Sequence, residues 1–266
     1  MILLRNIIMK VSLTMALLWS ATLFYVQAAT PQVADIKPYK EGFVIAYSDG
    51  KLCFADIEGI VLDSVQLKAE LAGIDVREDY VLAVTPDCAV MKVQQNGRSS
   101  RLCRSQIRNG ADRVVGIACS SDRTLILTVS GKILSTADFE SFSTLDFNST
   151  YSSYYDYTRF CAICASDNYF YIAGAFSNGM PAVFTSAAGN IWSERTLSYT
   201  EGSQTMELEQ QPLGLAYDSR MDRFVLGCTD GYFFYMPGCS HCNSIERKST
   251  DDIKALAFNS GYSIFK

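Results

Sequence analysis

The chain has 266 residues, 48% of them hydrophobic and 19% charged, which is too apolar and too weakly charged for a disordered or fibrous protein. Its 17 Gly and 6 Pro exclude collagen-like and linker-dominated architectures. A formal net charge of -5, with no run of Lys and Arg, excludes a clustered basic surface for nucleic acid.

In chain order the first element is a leader. Arg5 and Lys10 precede the uncharged apolar stretch from Val11 to Val26, and Val26-Gln27-Ala28 puts small residues at the sensitive positions before a cut, the pattern of a signal peptide. The stretch is shorter than the roughly 20 residues that span a bilayer. Residues 1–28 are therefore expected to be removed, leaving residues 29–266 as a single exported domain, periplasmic, secreted or at the cell surface, with no membrane span. Removal takes away two cations and no anion, so the net charge moves from -5 to -7.

From residue 34 onward, short apolar or alternating runs are separated by Gly, Asp, Asn and Ser, which predicts an all-β protein. The runs repeat. Ile36, Ile74 and Ile117 each stand 14 residues before a turn residue, Gly50, Cys88 and Gly131, and Ile163 and Leu215 stand 16 before Gly179 and Gly231. The anchors are 38, 43, 46 and 52 residues apart, near the roughly 40 to 50 residues of a four-stranded propeller blade. A more polar fourth strand follows in each unit, at residues 142–147 and 194–198 for example. The expected fold is a β-propeller of five four-stranded blades closed by the C-terminal strand at residues 253–258, with a partner at 262–265. That strand is expected to complete the first blade and hide its edge, with the Pro38 segment demoted because proline cannot donate to a central ladder. The alternative is a shortened propeller of six or more blades.

Thr185-Ser186-Ala187-Ala188-Gly189-Asn190-Ile191-Trp192 resembles the Asp-box of bacterial secreted BNR-type propellers, Ser/Thr-x-Asp-x-Gly-x-x-Trp, with Ala187 at the Asp position. Residues 135–142 echo it with Phe142 in place of the Trp. The resemblance implies a propeller whose third-to-fourth-strand hairpins are structural turns, and it brings no activity with it.

Few residues suggest chemistry. The single histidine, His241, lies in Pro237-Gly238-Cys239-Ser240-His241-Cys242, and no Gly-x-Ser-x-Gly elbow accompanies it. Cys239 and Cys242 are read as a local disulfide or thiol pair tightening a hairpin, because a redox pair needs a helix after the motif and a zinc site needs a fourth ligand. No metal or cofactor is expected. The other cysteines are read as buried small hydrophobes, and Cys161 and Cys164, at an odd spacing in a strand, are expected on opposite faces. Asp75 directly follows the anchor Ile74, where other copies carry Ala118, Cys164, Ala216 and Ala257. An acid facing the channel is the basis for an alternative function, a glycoside hydrolase-like enzyme, which requires a second carboxylate nearby.

Two long connections between blades carry the main functional expectation. Residues 149–159 contain Tyr151, Tyr154, Tyr155, Tyr157 and Arg159, and residues 199–211 contain Glu201, Glu207 and Glu209. Tyrosines in a polar loop supply rigid amphipathic contact area, with packing over the rim as their competing role. The sequence thus points to a monomeric, non-catalytic binding or scaffolding module for a glycan or protein partner, with no nucleic-acid role.

Overall fold

The computed structural model describes residues 30–107, 110, 112–238 and 242–266, so the expected signal peptide and Cys239 lie outside the described residues. In residues 32–266 the strands form successive antiparallel sheets, each ordered as in the chain. Blade one comprises β1 (Val33–Tyr39), β2 (Gly42–Tyr47), β3 (Lys51–Ala55) and β4 (Val61–Gln66), and blade two β5 (Gly73–Arg77), β6 (Tyr80–Val84), β7 (Val90–Gln94) and β8 (Ser99–Cys103). Blade three comprises β9 (Val114–Cys119), β10 (Thr124–Thr128), β11 (Lys132–Thr136) and β12 (Ser143–Asp146), followed by a one-turn helix α1 (Phe147–Thr150). Blade four comprises β13 (Thr158–Ala165), β14 (Phe170–Phe176), β15 (Pro181–Ser186) and β16 (Ser193–Glu194), and a separate hairpin follows, β17 (Ser198–Glu201) and β18 (Gln204–Glu207). Blade five comprises β19 (Pro212–Asp218), β20 (Arg223–Cys228), β21 (Tyr232–Pro237) and β22 (Ser244–Arg247), and the chain closes with β23 (Leu256–Asn259) and β24 (Tyr262–Phe265).

The first strands β1, β5, β9, β13, β19 and β23 neighbour one another in sequence and β23 returns to β1, so they line a closed ring. Each blade is covered on both faces by its neighbours, which is why second strands such as Thr124–Thr128 are buried at every position while the fourth strand Ser143–Asp146 is mostly exposed. The five anchors share one register, pairing Ile36 with Ile45, Ile74 with Ala83, Ile117 with Ile126, Ile163 with Ile172 and Leu215 with Leu226. Each anchor is at most 5% exposed.

Five four-stranded blades and closure by the C-terminal strand agree with the sequence reading, and two details differ. The closing strands form a two-stranded sheet of their own, because blade one already holds four strands. Asn259 ties that sheet to blade one, its side-chain amide donating to the carbonyls of Lys40 (3.1 Å) and Gly42 (2.6 Å). Pro38 lies within β1, opposite Phe43. An innermost strand has a ladder partner on one side only, and that tolerates a proline.

Candidate binding face

Asp35, Lys37 and Asp75 form a charged cluster at the channel. Asp35 and Lys37 project from β1, and Lys37 Nζ lies 3.3 Å from Asp35 Oδ1. Asp35 also accepts the N–H of Ile36 at 2.8 Å and, across the blade boundary, the N–H of Ile74 at 3.1 Å. Asp75 repeats the device one blade on, accepting Val76 N–H at 2.8 Å and Cys119 N–H at 2.5 Å. Burial pushes the Asp75 carboxyl above its ordinary range, against the pull of the Lys37 ammonium and the two backbone donors. For Lys37 burial acts downward, and the Asp35 carboxylate, with Cys164 and Asp75, outweighs it, so the group is raised. Both carboxylates are thus engaged by backbone donors, and a hydrolase would need those oxygens at a sugar. Lys37 occupies in blade one the position that Asp75 holds in blade two; sequence reasoning missed it, although it follows the anchor Ile36 in the same way.

A cavity of about 160 Å³ at one end of the channel is lined by Lys37, Asp75, Cys164, Tyr217, Ser219 and Asn259 among others. Burial pushes Cys119, Cys161, Cys164 and Cys228 up to about 12, which makes them inert thiols at neutral pH. A bulge at Cys161 shifts the register of β13, and Cys161 and Cys164 both join the core between blades four and five, contrary to the alternation expected of a regular strand. Cys242 is exposed. Its pairing with Cys239 involves a residue outside the description.

Connections that follow each fourth strand return over the second-to-third-strand turn of the same blade. Leu67 N–H donates to Gly50 O, Val114 to Pro86 O, Phe147 to Gly131 O and Lys248 to Gly231 O, while the Gln211 side chain donates to Gly179 O. Long connections and these turns therefore share one face. After α1, the tyrosine connection divides into two roles. Tyr151 accepts Trp192 N–H on its hydroxyl at 2.8 Å and lies 4.8 Å from the Phe147 ring, and Tyr155 accepts Glu194 N–H at 3.4 Å and meets Phe184 edge-on at 5.0 Å. These two fill the space left by the two-residue strand β16 and fasten blade three to blade four. Tyr154 and Tyr157 point outward, 78% and 53% exposed, and Arg159 is exposed at the start of β13. Glu201 and Glu207 are exposed on the separate β17–β18 hairpin, and the fourth strand of blade four, expected at residues 194–198, is only the two-residue β16.

The third-to-fourth-strand turn of blade four is rigid for visible reasons. Ser186 Oγ accepts Gly189 N–H at 2.8 Å, Trp192 Nε1 donates to Gly189 O at 3.2 Å, and the indole is 2% exposed. In blade three Thr136 Oγ1 accepts Phe139 N–H at 2.8 Å in the matching place.

No protein-family model matches this chain, and no curated protein resembles it in sequence. Solved structures do resemble it in fold. The Neurospora crassa Pan2 WD40 domain superposes with a TM-score of 0.53 at 9% identity, covering 84% of this chain and 68% of that one. The Myceliophteria thermophila Cps50 (Swd1) β-propeller domain gives 0.55 at 9% identity over 86% and 76%. A chain of a mitotic checkpoint complex gives 0.56 at 11% identity over 87% and 69%. At such identities the likeness establishes the β-propeller and nothing of its ligands.

Proposed function

We propose that this protein is an exported, non-catalytic binding or scaffolding module that recognises a glycan or protein partner on the face carrying the long connections. The observation that carries this reading is the pair of outward rings, Tyr154 and Tyr157, on a connection immobilised from beneath by Tyr151 and Tyr155. Exposed aromatic area on a preorganised loop lowers the ordering cost of binding. Arg159 adds a cation beside it, and Glu201 and Glu207 supply acidic groups on the next connection. The bacterial Asp-box propellers that residues 185–192 resemble are secreted, in keeping with a cleaved leader over residues 1–28. A similar propeller serves within a mitotic checkpoint complex, which supports an assembly role for this architecture.

The test is a glycan array and affinity capture run in parallel on wild type and on the Tyr154→Ala/Tyr157→Ala variant. Ligands held by wild type and lost by a variant with an unchanged melting temperature are the expected result. Equal retention by both proteins would remove these rings from the recognition face.

A further inference from the structure

One layer of the channel consists of the residues that follow the five anchors, Lys37, Asp75, Ala118, Cys164 and Ala216, with Ala257 in the matching place on β23. Four of the six are small, and the other two carry opposite charges on the adjacent strands β1 and β5. Room opens where the small residues stand: Cys164, Ala216 and Ala257 line the channel cavity beside Lys37 and Asp75. At about 160 Å³ it has space for several waters of about 30 Å³ each, or for one organic molecule of a few heavy atoms. Ser219, just after β19, and Asn259, at the end of β23, place it where the first strands finish. The long connections enter at the other end, where those strands begin.

Most polar groups of the lining are already committed. Tyr217 donates its hydroxyl to Asp222 Oδ1 at 2.7 Å. Asn259 gives its amide hydrogens to the carbonyls of Lys40 and Gly42, and its own oxygen accepts the Ser260 hydroxyl at 3.1 Å. Burial keeps the Cys164 thiol neutral, pushed up to about 12. Ser219 is exposed at the mouth, and the remaining lining side chains are apolar, Ala165 and Phe258 among them.

Lys37 and Asp75 keep unused capacity. Lys37 is 8% exposed, and Asp35 is its ion-pair partner among the described residues, at 3.3 Å. Asp35 stands to one side, in a narrower space of about 30 Å³ that Lys37 also lines and Asp75 does not. An ammonium has three donors, so donors remain for the cavity. Each Asp75 oxygen accepts one backbone N–H, which leaves a further acceptor site on each. A lone anion drawn to Lys37 would be repelled by Asp75 and Asp35, and a lone cation drawn to Asp75 would be repelled by Lys37, in surroundings that screen charge poorly. A molecule carrying both charges meets an opposite partner at each end.

We infer that this cavity binds a small free amino acid, its carboxylate on Lys37, its ammonium on Asp75 and its side chain against Ala216, Ala257 and Phe258. The site is separate from the tyrosine-bearing face, and either can fail without the other.

Calorimetry and saturation-transfer NMR with L-alanine test it, with propionate and ethylamine as probes that keep one charge each. Wild type should bind L-alanine at millimolar concentration and each single-charge probe at least about tenfold more weakly, the loss expected for one hydrogen bond to a charged group. Asp75→Asn keeps the side-chain shape and an oxygen for one backbone donor, and should weaken L-alanine by a similar factor. Methyl spectra of the wild type locate the site without any variant, because the Ala216 and Ala257 signals should shift as unlabelled L-alanine is added. Should Asp75→Asn fail to fold, those shifts decide. A wild type that does not bind L-alanine, that binds propionate or ethylamine as tightly, or that binds L-alanine with both methyl signals unmoved would overturn the inference. So would a folded Asp75→Asn that binds L-alanine as wild type does.

Discussion

Asp75, on the innermost strand of blade two, holds the backbone N–H of Cys119, on the innermost strand of blade three, at 2.5 Å. The same relation joins Asp35 in blade one to Ile74 in blade two at 3.1 Å. Inner strands of different blades share no ladder, so their inward amides need acceptors from elsewhere. A carboxylate reaching sideways satisfies one and fixes the angle between two blades, and Lys37 keeps the two acids from repelling each other.

Removing these groups should destabilise the fold in a definite order. Asp75→Ala leaves the Cys119 and Val76 amides without their acceptor, at a cost of roughly 1–3 kcal/mol. Lys37→Ala leaves buried acids without their cation and should cost more, roughly 3–5 kcal/mol. Denaturant midpoints of the two variants check this. A milder Lys37→Ala would show that the ammonium does not hold the pair.

Asp112 gives a pH-dependent counterpart. It accepts the Ser130 hydroxyl at 2.5 Å and the Ser130 N–H at 3.2 Å, fastening the connection before β9 to the turn of blade three. Burial pushes its carboxyl up, but the Ser130 donors, with Thr128 and Lys132, outweigh burial and lower it. An acid lowered by folding stabilises the fold above its unfolded value near 3.9 and loses that contribution as pH falls through the folded value. The melting-temperature gap between wild type and Asp112→Asn should therefore be widest near neutrality and close below about pH 4. A gap independent of pH would mean that the charge of Asp112 contributes nothing.

The tyrosine connection predicts opposite behaviour for adjacent residues. Tyr151→Phe loses the bond from Trp192 N–H and should cost about 1 kcal/mol, and Tyr155→Ala should cost more because its ring packs on Phe147 and Phe184. Tyr154→Ala should stay within about 0.5 kcal/mol of wild type. Thermal unfolding of the three single variants separates packing from recognition before any ligand is known.

Gly189 adopts φ of 75°, and a Cβ there would lie 2.6 Å from Leu125 Cδ1 in the neighbouring blade. Gly189→Ala therefore combines backbone strain with overpacking and should cost roughly 1–3 kcal/mol in chemical denaturation. A neutral effect would mean that the turn and Leu125 can part without loss.

The blades were legible because their signals are periodic. Ile36, Ile74, Ile117, Ile163 and Leu215 must be apolar at one register, and Gly50, Gly131 and Gly179 take left-handed turns that favour glycine. Features that depend on one residue left no such trace. The bulge at Cys161 has no composition signature, and it undid the parity argument that separated Cys161 from Cys164. Lys37 sits at a position where other blades carry Ala, Cys or Asp, so repetition did not mark it. Loop residues have no period at all, and Tyr151 therefore reads like Tyr154 until the short β16 shows which ring has a space to fill.

The seam between β1 and β23 gives the ring a direction of failure. Blade one and the closing sheet share no ladder, and Asn259 supplies side-chain hydrogen bonds across their boundary. Tension applied at Gln32 and Lys266 would load a single amide and a line of apolar contacts before the backbone bonds of any blade. The molecule would then part like a clasped bracelet, into a row of six sheets, the five blades and the closing pair, still stacked on one another, and shutting the clasp would be the last event when the tension is released.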